Sequence, residues 1–316
     1  MDMVKDMKEK IKIVFMGTPE FAVPVLEGLI KNYDVILVVS QPDKEVGRKK
    51  ILTFPPVKEK ALEYGIDVFQ PKNIKEECDT ILSCHPDLIV TCAYGQIIPK
   101  LLLDLPKYGC INVHASLLPK LRGGAPIHKA IIDGYKKTGI TIMYMDEKMD
   151  SGDIIRQQEI EITDNTITET LHDTLSQMGV DLLLKTIPDI VSGNINPVKQ
   201  DPNEVTYAPN IKREEEKIDF QQAGRKVFNQ IRGLNSWPGA YCYLDNKVMK
   251  IYDVSFTEEK TSKEAGEVLA VSKEGIKVAL NDGVLYIKTL KPEGKKKMTY
   301  KEFVNGKKDI VGKVFV

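Results

Sequence analysis

The sequence of 316 residues lacks the features that would place it in several large functional classes. It has no apolar run close to the roughly 18 to 20 residues that a membrane helix needs, so we expect no membrane partner. The N-terminal stretch MDMVKDMKEK alternates charges where a secretion signal would have an apolar segment. The five cysteines are scattered and include no CxxC pair, which predicts reduced thiols and a cytoplasmic protein.

Metal-binding and cofactor motifs are equally scarce. Cys84-His85 is a pair of ligand-type residues, but the proline that follows favours a junction between a helix and a loop, and we expect no metal. Gly17 ends the first apolar run, and Pro19 and Ala22 stand where the dinucleotide-binding motif G-x-G-x-x-G has its other glycines. This difference disfavours a nicotinamide-dependent oxidoreductase.

The first 150 residues alternate apolar runs with segments of helical periodicity. Continuous apolar strands separated by helices predict a doubly wound α/β domain with a mostly parallel sheet, and ligands of such sheets bind beyond the carboxyl ends of the strands. A long amphipathic segment at 166–193 would close this domain as a helix. The apolar runs lie at 11–17, 35–40, 87–94, 110–116 and 139–145, and the other helical segments lie at 19–32, 56–65, 98–106 and 125–135.

The remainder of the chain has a different pattern. Residues 194–210 are polar and rich in proline and asparagine, which is typical of a linker. Residues 211–316 begin with a helical segment at 221–233, after which short β-type runs are separated by the turn sequences LDNKV, SKEGI and LNDGV. We expect a small β-barrel resembling the OB fold, a class that often binds nucleic acids. Trp237 stands just before its first strand, and we expect it to be buried in the core.

The charge is unevenly distributed although the formal net charge is zero. Residues 210–316 hold 21 basic and 15 acidic side chains, and residues 1–209 carry the opposite excess. A basic C-terminal part is compatible with a polyanionic partner, and equally with an ordinary solvated surface.

Candidate catalytic side chains occur where two apolar runs end. Asn112 and His114 lie in INVHASLLPKLRGGAPI, and their spacing of two puts both on one face of a strand. Asp150 follows in MDSGD. The histidine can relay a proton near neutral pH, the carboxylate can hold its protonation state, and the amide can donate to an oxyanion. Ser116 lacks the G-x-S-x-G context of a nucleophile. Taken alone, His114 is also compatible with a structural role.

A resemblance to a known family rests on five stretches. INVHASLLPKLRGGAPI followed by GITIMYMDEKMDSGDII, together with VFMGTPEFAVPVL, SQPDKEVGRKK and NSWPGAY, resembles the formyltransferases that use 10-formyltetrahydrofolate. The similarity runs from about residue 11 to the C-terminus. It implies a Rossmann-like catalytic domain over 1–193, a linker over 194–210 and a β-barrel that binds tRNA over 211–316. It also implies that Asn112, His114 and Asp150 are the catalytic residues.

The resemblance further implies two sets of binding residues. The loop at 41–58 would reach toward tRNA, and here Gly47 and Arg48 run directly into two lysines where the family pattern has a second glycine. The residues implied to contact RNA are Arg48, Lys49 and Lys50. Those implied to contact the folate are Ser116, Leu117, Leu118, Pro119, Tyr94, Gly95, Gln96 and Ile97.

The implied reaction is transfer of the formyl group of 10-formyltetrahydrofolate to the α-amine of methionyl initiator tRNA, through a tetrahedral intermediate, as a step of translation initiation. We expect a monomer. Two alternatives remain within the same chemistry: a formyltransferase for a small amine, and a 10-formyltetrahydrofolate hydrolase. An RNA-binding module without catalysis is a third alternative, disfavoured by the presence of Asn112, His114 and Asp150.

Overall fold

The computed structural model describes residues 11–47, 50–305 and 309–316. Its internal contacts divide the chain into two compact units. The first contains the chain up to Pro126 with Thr138–Ile160 and His172–Pro209, and the second contains Ile127–Lys137, Glu161–Leu171 and Asn210–Val316. The domain boundaries at 193 and 211 stay a prediction. Within the described ranges, no helix has the length and apolar character needed to cross a membrane.

The first unit is built on a seven-stranded sheet, and the predicted mostly parallel sheet is confirmed. Its strands are β1 (Lys12–Gly17), β2 (Asp34–Val39), β5 (Val68–Phe69), β6 (Leu88–Cys92), β7 (Cys110–His114), β8 (Lys137–Tyr144) and β9 (Ile154–Glu161), in the order β5-β2-β1-β6-β7-β8-β9. The pairs from β5 to β7 are parallel, and β8 is antiparallel to β7. The sequence did not predict β9, because its residues are largely polar and exposed.

Both faces of this sheet are covered, as the continuous apolar strands require. Val14 and Met16 share one face of β1 and belong to a core cluster with Ile81 and Leu102 of two short helices. On β7, Val113 lies against Gly179 of the long helix. The described helices of at least four residues that come before Gly224 are Val23–Asn32, Pro56–Glu63, Asp79–Cys84, Lys100–Leu103, Pro126–Ile132 and Thr168–Ser192.

A small hairpin interrupts the loop predicted at 41–58. Its strands are β3 (Lys44–Val46) and β4 (Ile51–Thr53). Ile51 and Leu52 are each 61% exposed, which is unusual for such large apolar side chains. Arg48 and Lys49 lie outside the described residues.

The second unit is an antiparallel sheet with a helix, as predicted. Its elements are the helix Gly224–Gly233, the strands β10 (Ala240–Leu244), β11 (Lys247–Thr257), β12 (Val268–Ser272), β13 (Gly275–Leu280), β14 (Gly283–Pro292) and β15 (Met298–Thr299), and the helix Tyr300–Val304. The main strand order is β10-β11-β14-β13-β12. All three predicted hairpin turns are confirmed, and in the first Asp245 and Asn246 have φ of 52° and 62°, a conformation that these two residues tolerate better than most.

The C-terminal segment closes this sheet into a barrel. Val316 exchanges both backbone hydrogen bonds with Tyr243 of the edge strand β10. The same segment reaches the opposite edge strand, because the amide of Val268 in β12 donates to the carbonyl of Lys313. Phe315, only 1% exposed, belongs to the apolar core and stacks on Phe220 with ring centroids 6.1 Å apart.

The expectation that Trp237 is buried is wrong, since its side chain is 73% exposed. Trp237 lies in the connection between the helix Gly224–Gly233 and β10, so it is part of neither the buried face of that helix nor the buried face of the sheet. Its carbonyl is 3.1 Å from Nε2 of His128, and the two rings meet edge to face at a centroid distance of 6.1 Å.

We predict that Phe315→Ala lowers the free energy of unfolding by roughly 3 to 5 kcal/mol, the usual cost of removing a buried phenylalanine. Val316→Ala is the matched control, because the Val316 side chain is 56% exposed while its backbone makes the pairing with Tyr243. Urea denaturation of both variants measures the difference, and equal stabilities would show that Phe315 is not needed for closure.

Candidate active site

Asn112 is oriented by the neighbouring strand. In the parallel register of β6 and β7, Thr91 pairs with Asn112, and the buried Thr91 hydroxyl donates to Asn112 Oδ1 at 2.8 Å. A hydroxyl that donates to the amide oxygen leaves the Nδ2 group as the end of Asn112 that can donate to a ligand. Sequence reasoning missed Thr91, although it precedes the end of an apolar run.

His114, the last residue of β7, is buried, and its two ring nitrogens have different surroundings. Nε2 lies 3.1 Å from the carbonyl oxygen of Leu121. Since a carbonyl only accepts, Nε2 carries the proton in the neutral imidazole. Nδ1 faces Oδ1 of Asp150 at 3.7 Å, a distance too long for a hydrogen bond but short enough for attraction once the ring is protonated.

Asp150 is held in an uncommon backbone conformation, with φ of 49°. Its second carboxylate oxygen, Oδ2, accepts a hydrogen bond from the backbone amide of Gly123 at 2.8 Å. Two residues on, a side chain at Gly152 would overlap the carbonyl oxygen of Tyr144. The turn that carries Asp150 is thus packed closely against the end of β8.

The loop at 121–123 therefore contacts both His114 and Asp150. It is fixed from the other side by residues expected to form a linker: the amide of Leu121 donates to Oγ1 of Thr206, and the amide of Ala208 donates to the carbonyl of Arg122. Gly123 has φ of 122° and lies against the Ala208 carbonyl, so a side chain there would be obstructed.

The predicted folate loop forms a tight turn beside β8. The Thr141 hydroxyl donates to the carbonyl of Ser116 at 2.6 Å and accepts from the amide of Leu118 at 3.2 Å. Ser116 and Leu118 are buried, while Leu117 and Pro119 are half-buried. The peptide bond between Leu118 and Pro119 is cis.

The second predicted folate stretch follows β6 at the same edge of the sheet as Asn112. Tyr94 is buried in the core cluster, where burial raises the pKa of its hydroxyl, and its carbonyl accepts from Thr18 Oγ1 at 3.1 Å. Gln96 accepts a hydrogen bond from the amide of Ile74. Gly95 and Ile97 are the exposed members of this stretch.

Of the residues predicted to contact RNA, only Lys50 is described. Its side chain is 79% exposed, and its ammonium lies 3.8 Å from a Glu45 carboxylate oxygen. In the described ranges, no group of three or more His, Cys, Asp or Glu side chains is placed to hold a metal ion.

Two family models match the chain: Formyl transferase over residues 10–187 and Formyl transferase, C-terminal domain, over residues 210–308. A methionyl-tRNA formyltransferase of Bacillus subtilis is 55% identical over 299 residues, which cover 93% of this chain and 94% of that protein. One from Listeria innocua is 53% identical over 298 residues, covering 93% of this chain and 95% of that protein.

Solved structures with the same fold are more distant in sequence. An N-formyltransferase from Helicobacter canadensis, in complex with folinic acid and dTDP-3-aminofucose, has a TM-score of 0.66 and 20% identity, covering 88% of this chain and 98% of that chain. HypX from Aquifex aeolicus, in complex with tetrahydrofolic acid, has a TM-score of 0.62 and 18% identity, covering 95% of this chain and 48% of that chain.

We predict that Gly152→Ala destabilises the first unit by roughly 1 to 3 kcal/mol, because the added methyl group must displace the Tyr144 carbonyl. Ser151→Ala is the control, since that hydroxyl bonds only within the turn, to Lys148 and Asp146. The free energies of unfolding from urea denaturation test the prediction, which fails if both variants are equally stable.

Proposed function

Because this chain belongs to the formyl transferase family, we propose that it transfers the formyl group of 10-formyltetrahydrofolate to the α-amino group of methionyl initiator tRNA. The sequence is more than 50% identical to methionyl-tRNA formyltransferases over both matched domains, which supports methionyl-tRNA as the acceptor of the formyl group. The observation that carries the chemistry is the grouping of Asn112, His114 and Asp150 at one edge of the sheet.

The amine attacks the formyl carbon directly. An α-amine titrates at about 7.7 to 8.0, so a useful fraction is already neutral and no covalent nucleophile is needed. A new carbon–nitrogen bond forms, and the carbonyl oxygen becomes an oxyanion. Asn112 Nδ2 donates to that oxyanion, and the Thr91 hydroxyl preorganises it by holding Oδ1.

His114 moves the proton from the incoming to the departing nitrogen. Nδ1 accepts the proton of the attacking amine, directly or through a water, while Nε2 keeps its bond to the Leu121 carbonyl. Asp150 stabilises the imidazolium that forms, because its Oδ1 faces Nδ1. As the bond between the formyl carbon and the folate nitrogen breaks, the imidazolium returns the proton from Nδ1 to that nitrogen.

The folate lies between the two stretches at the sheet edge. Leu117, Pro119, Gly95 and Ile97 are the accessible residues that would touch it. Ser116, Leu118, Tyr94 and Gln96 support these from beneath, through the hydrogen bonds to Thr141, Thr18 and Ile74. No metal takes part in this reaction as proposed.

Basic side chains of the protein bind the phosphates of the tRNA. The exposed Lys50 on the β3–β4 hairpin, with Arg48 and Lys49, contacts phosphates, and the basic residues 210–316 form the tRNA-binding domain. All five cysteines are free thiols, which is typical of a reducing compartment, and we propose that the enzyme acts in the cytoplasm as a monomer.

We predict that Asn112→Ala lowers kcat by roughly 10²- to 10³-fold, because it removes a preorganised donor to the oxyanion. His114→Ala should lower kcat by roughly 10²- to 10⁴-fold, because it removes the group that carries the proton. Transfer of labelled formyl from 10-formyltetrahydrofolate to charged initiator tRNA measures this. The matched control is His85→Asn, at an exposed histidine with φ of 47°, which asparagine tolerates. Wild-type release of free formate, or equal formylation of a small amine, would contradict the proposed acceptor.

We also predict that tRNA affinity falls as salt rises, and that Lys50→Ala lowers the log–log slope by roughly 0.7 to 0.9, the contribution of one phosphate contact. Filter binding between low and physiological salt measures the slope. Lys75→Ala, at an exposed lysine on the same unit, should leave the slope unchanged. An unchanged slope in Lys50→Ala would remove this residue from the interface.

A further inference from the structure

Gln200 joins the two loops that carry the candidate active site, although it lies in the segment expected to be a linker. Its Nε2 group donates to the backbone carbonyls of Asp150 at 2.9 Å and Gly152 at 2.8 Å. Its Oε1 atom accepts from Arg122, with Nε at 3.0 Å and Nη2 at 2.7 Å. All four contacts of the carboxamide are therefore to residues that flank the site.

The chemistry of these partners requires an amide at this position. A guanidinium only donates and a backbone carbonyl only accepts, so one end of residue 200 must accept while the other donates. These partners also fix the orientation of the carboxamide. A flipped amide would place Nε2 against the Arg122 guanidinium and Oε1 against the backbone carbonyls of Asp150 and Gly152. A carboxylate would satisfy Arg122 but would place an oxygen against the carbonyls of Asp150 and Gly152.

The contacts of the two loops show what this arrangement controls. The loop at 121–123 provides the Leu121 carbonyl to His114 and the Gly123 amide to Asp150. The turn at 150–152 provides the carboxylate that faces Nδ1 of His114 at 3.7 Å. Gln200 lies outside the site and links these two loops. The positive φ of Asp150 is an unfavourable backbone conformation, and the hydrogen bond from Gln200 helps to hold it.

We propose that Gln200 is a positioning residue for the reaction: through Arg122 and the backbone of Asp150 and Gly152, it holds the Asp150 carboxylate at His114. The inference rests on the proposed function, because it assumes that Asp150 stabilises protonated His114. It assigns a task to the segment 194–210 that a linker would not have. Gln200 contacts neither the folate nor the amine in this proposal.

The first test compares Gln200→Leu and Gln200→Glu in formyl transfer to charged initiator tRNA. We expect kcat to fall roughly 10- to 100-fold in both, the effect of a misplacement near 1 Å, while KM for the folate and for tRNA stays almost unchanged. Wild-type kcat in Gln200→Leu would overturn the proposal. Recovery of kcat in Gln200→Glu would also overturn it, by showing that residue 200 serves only to accept from Arg122.

Asn203→Ala is the matched control within the same segment. Asn203 is exposed, and its hydrogen bonds run to Asp201 in the same turn, so kcat should stay at the wild-type value. Thermal unfolding of each variant separates loss of fold from loss of position. If Gln200→Leu does not fold, Arg122→Lys replaces it, because lysine keeps the charge and loses the paired donation; full activity in Arg122→Lys overturns the proposal.

A double variant separates this inference from the proposed function. If Gln200 acts through Asp150, Gln200→Leu should cause no further loss of kcat in an Asp150→Asn background. Multiplying losses would show that Gln200 acts elsewhere and would overturn the inference alone. Wild-type turnover in Asp150→Asn would instead remove Asp150 from the mechanism, and the proposed function would fail at that step whatever Gln200 does.

Discussion

The hydrogen bond from the backbone amide of Gly123 to the carboxylate of Asp150 joins the two loops on which the rest of the site depends. It forms only because both loops approach closely: Gly123 lies against the Ala208 carbonyl and Gly152 against the Tyr144 carbonyl, where no side chain fits. With Oδ2 occupied in this way, Oδ1 is the oxygen that faces His114. A single backbone contact thus sets which carboxylate oxygen meets the imidazole.

The site combines a rigid part and a part assembled from loops. Strand register places Thr91 beside Asn112 within the parallel sheet, so the amide needs no loop to orient it. His114 ends the same strand, but its ring is oriented by the Leu121 carbonyl and Asp150, which arrive from two connections. The groups that we propose to transfer the proton therefore depend on long-range packing to a degree that the proposed oxyanion donor does not. Our proposal for Gln200 concerns this dependent part of the site.

The second unit reaches stability by a different route. Tight hairpins set the pairing of neighbouring strands locally, and the C-terminal segment then joins the edge strands β10 and β12 and buries Phe315. Closing a sheet removes exposed edges that would otherwise pair with other chains. We propose that the basic excess of residues 210–316 serves contact with tRNA.

The sequence alone determined the strands with continuous apolar runs and the three hairpin turns, since periodicity and turn chemistry are local properties. It also singled out Asn112, His114 and Asp150 as the candidate catalytic residues, because the motif that contains them is long. Only the tertiary structure decided that β8 runs antiparallel to β7, that the polar β9 joins the sheet, and that Trp237 is exposed. It also decided that residues 200–208 contact the loops at 121–123 and 150–152, where Gln200 bonds to Asp150 and Arg122 across 50 and 78 positions of the chain. A contact between residues so far apart leaves no periodic pattern in the sequence. It forms only when the chain folds and brings the two segments together.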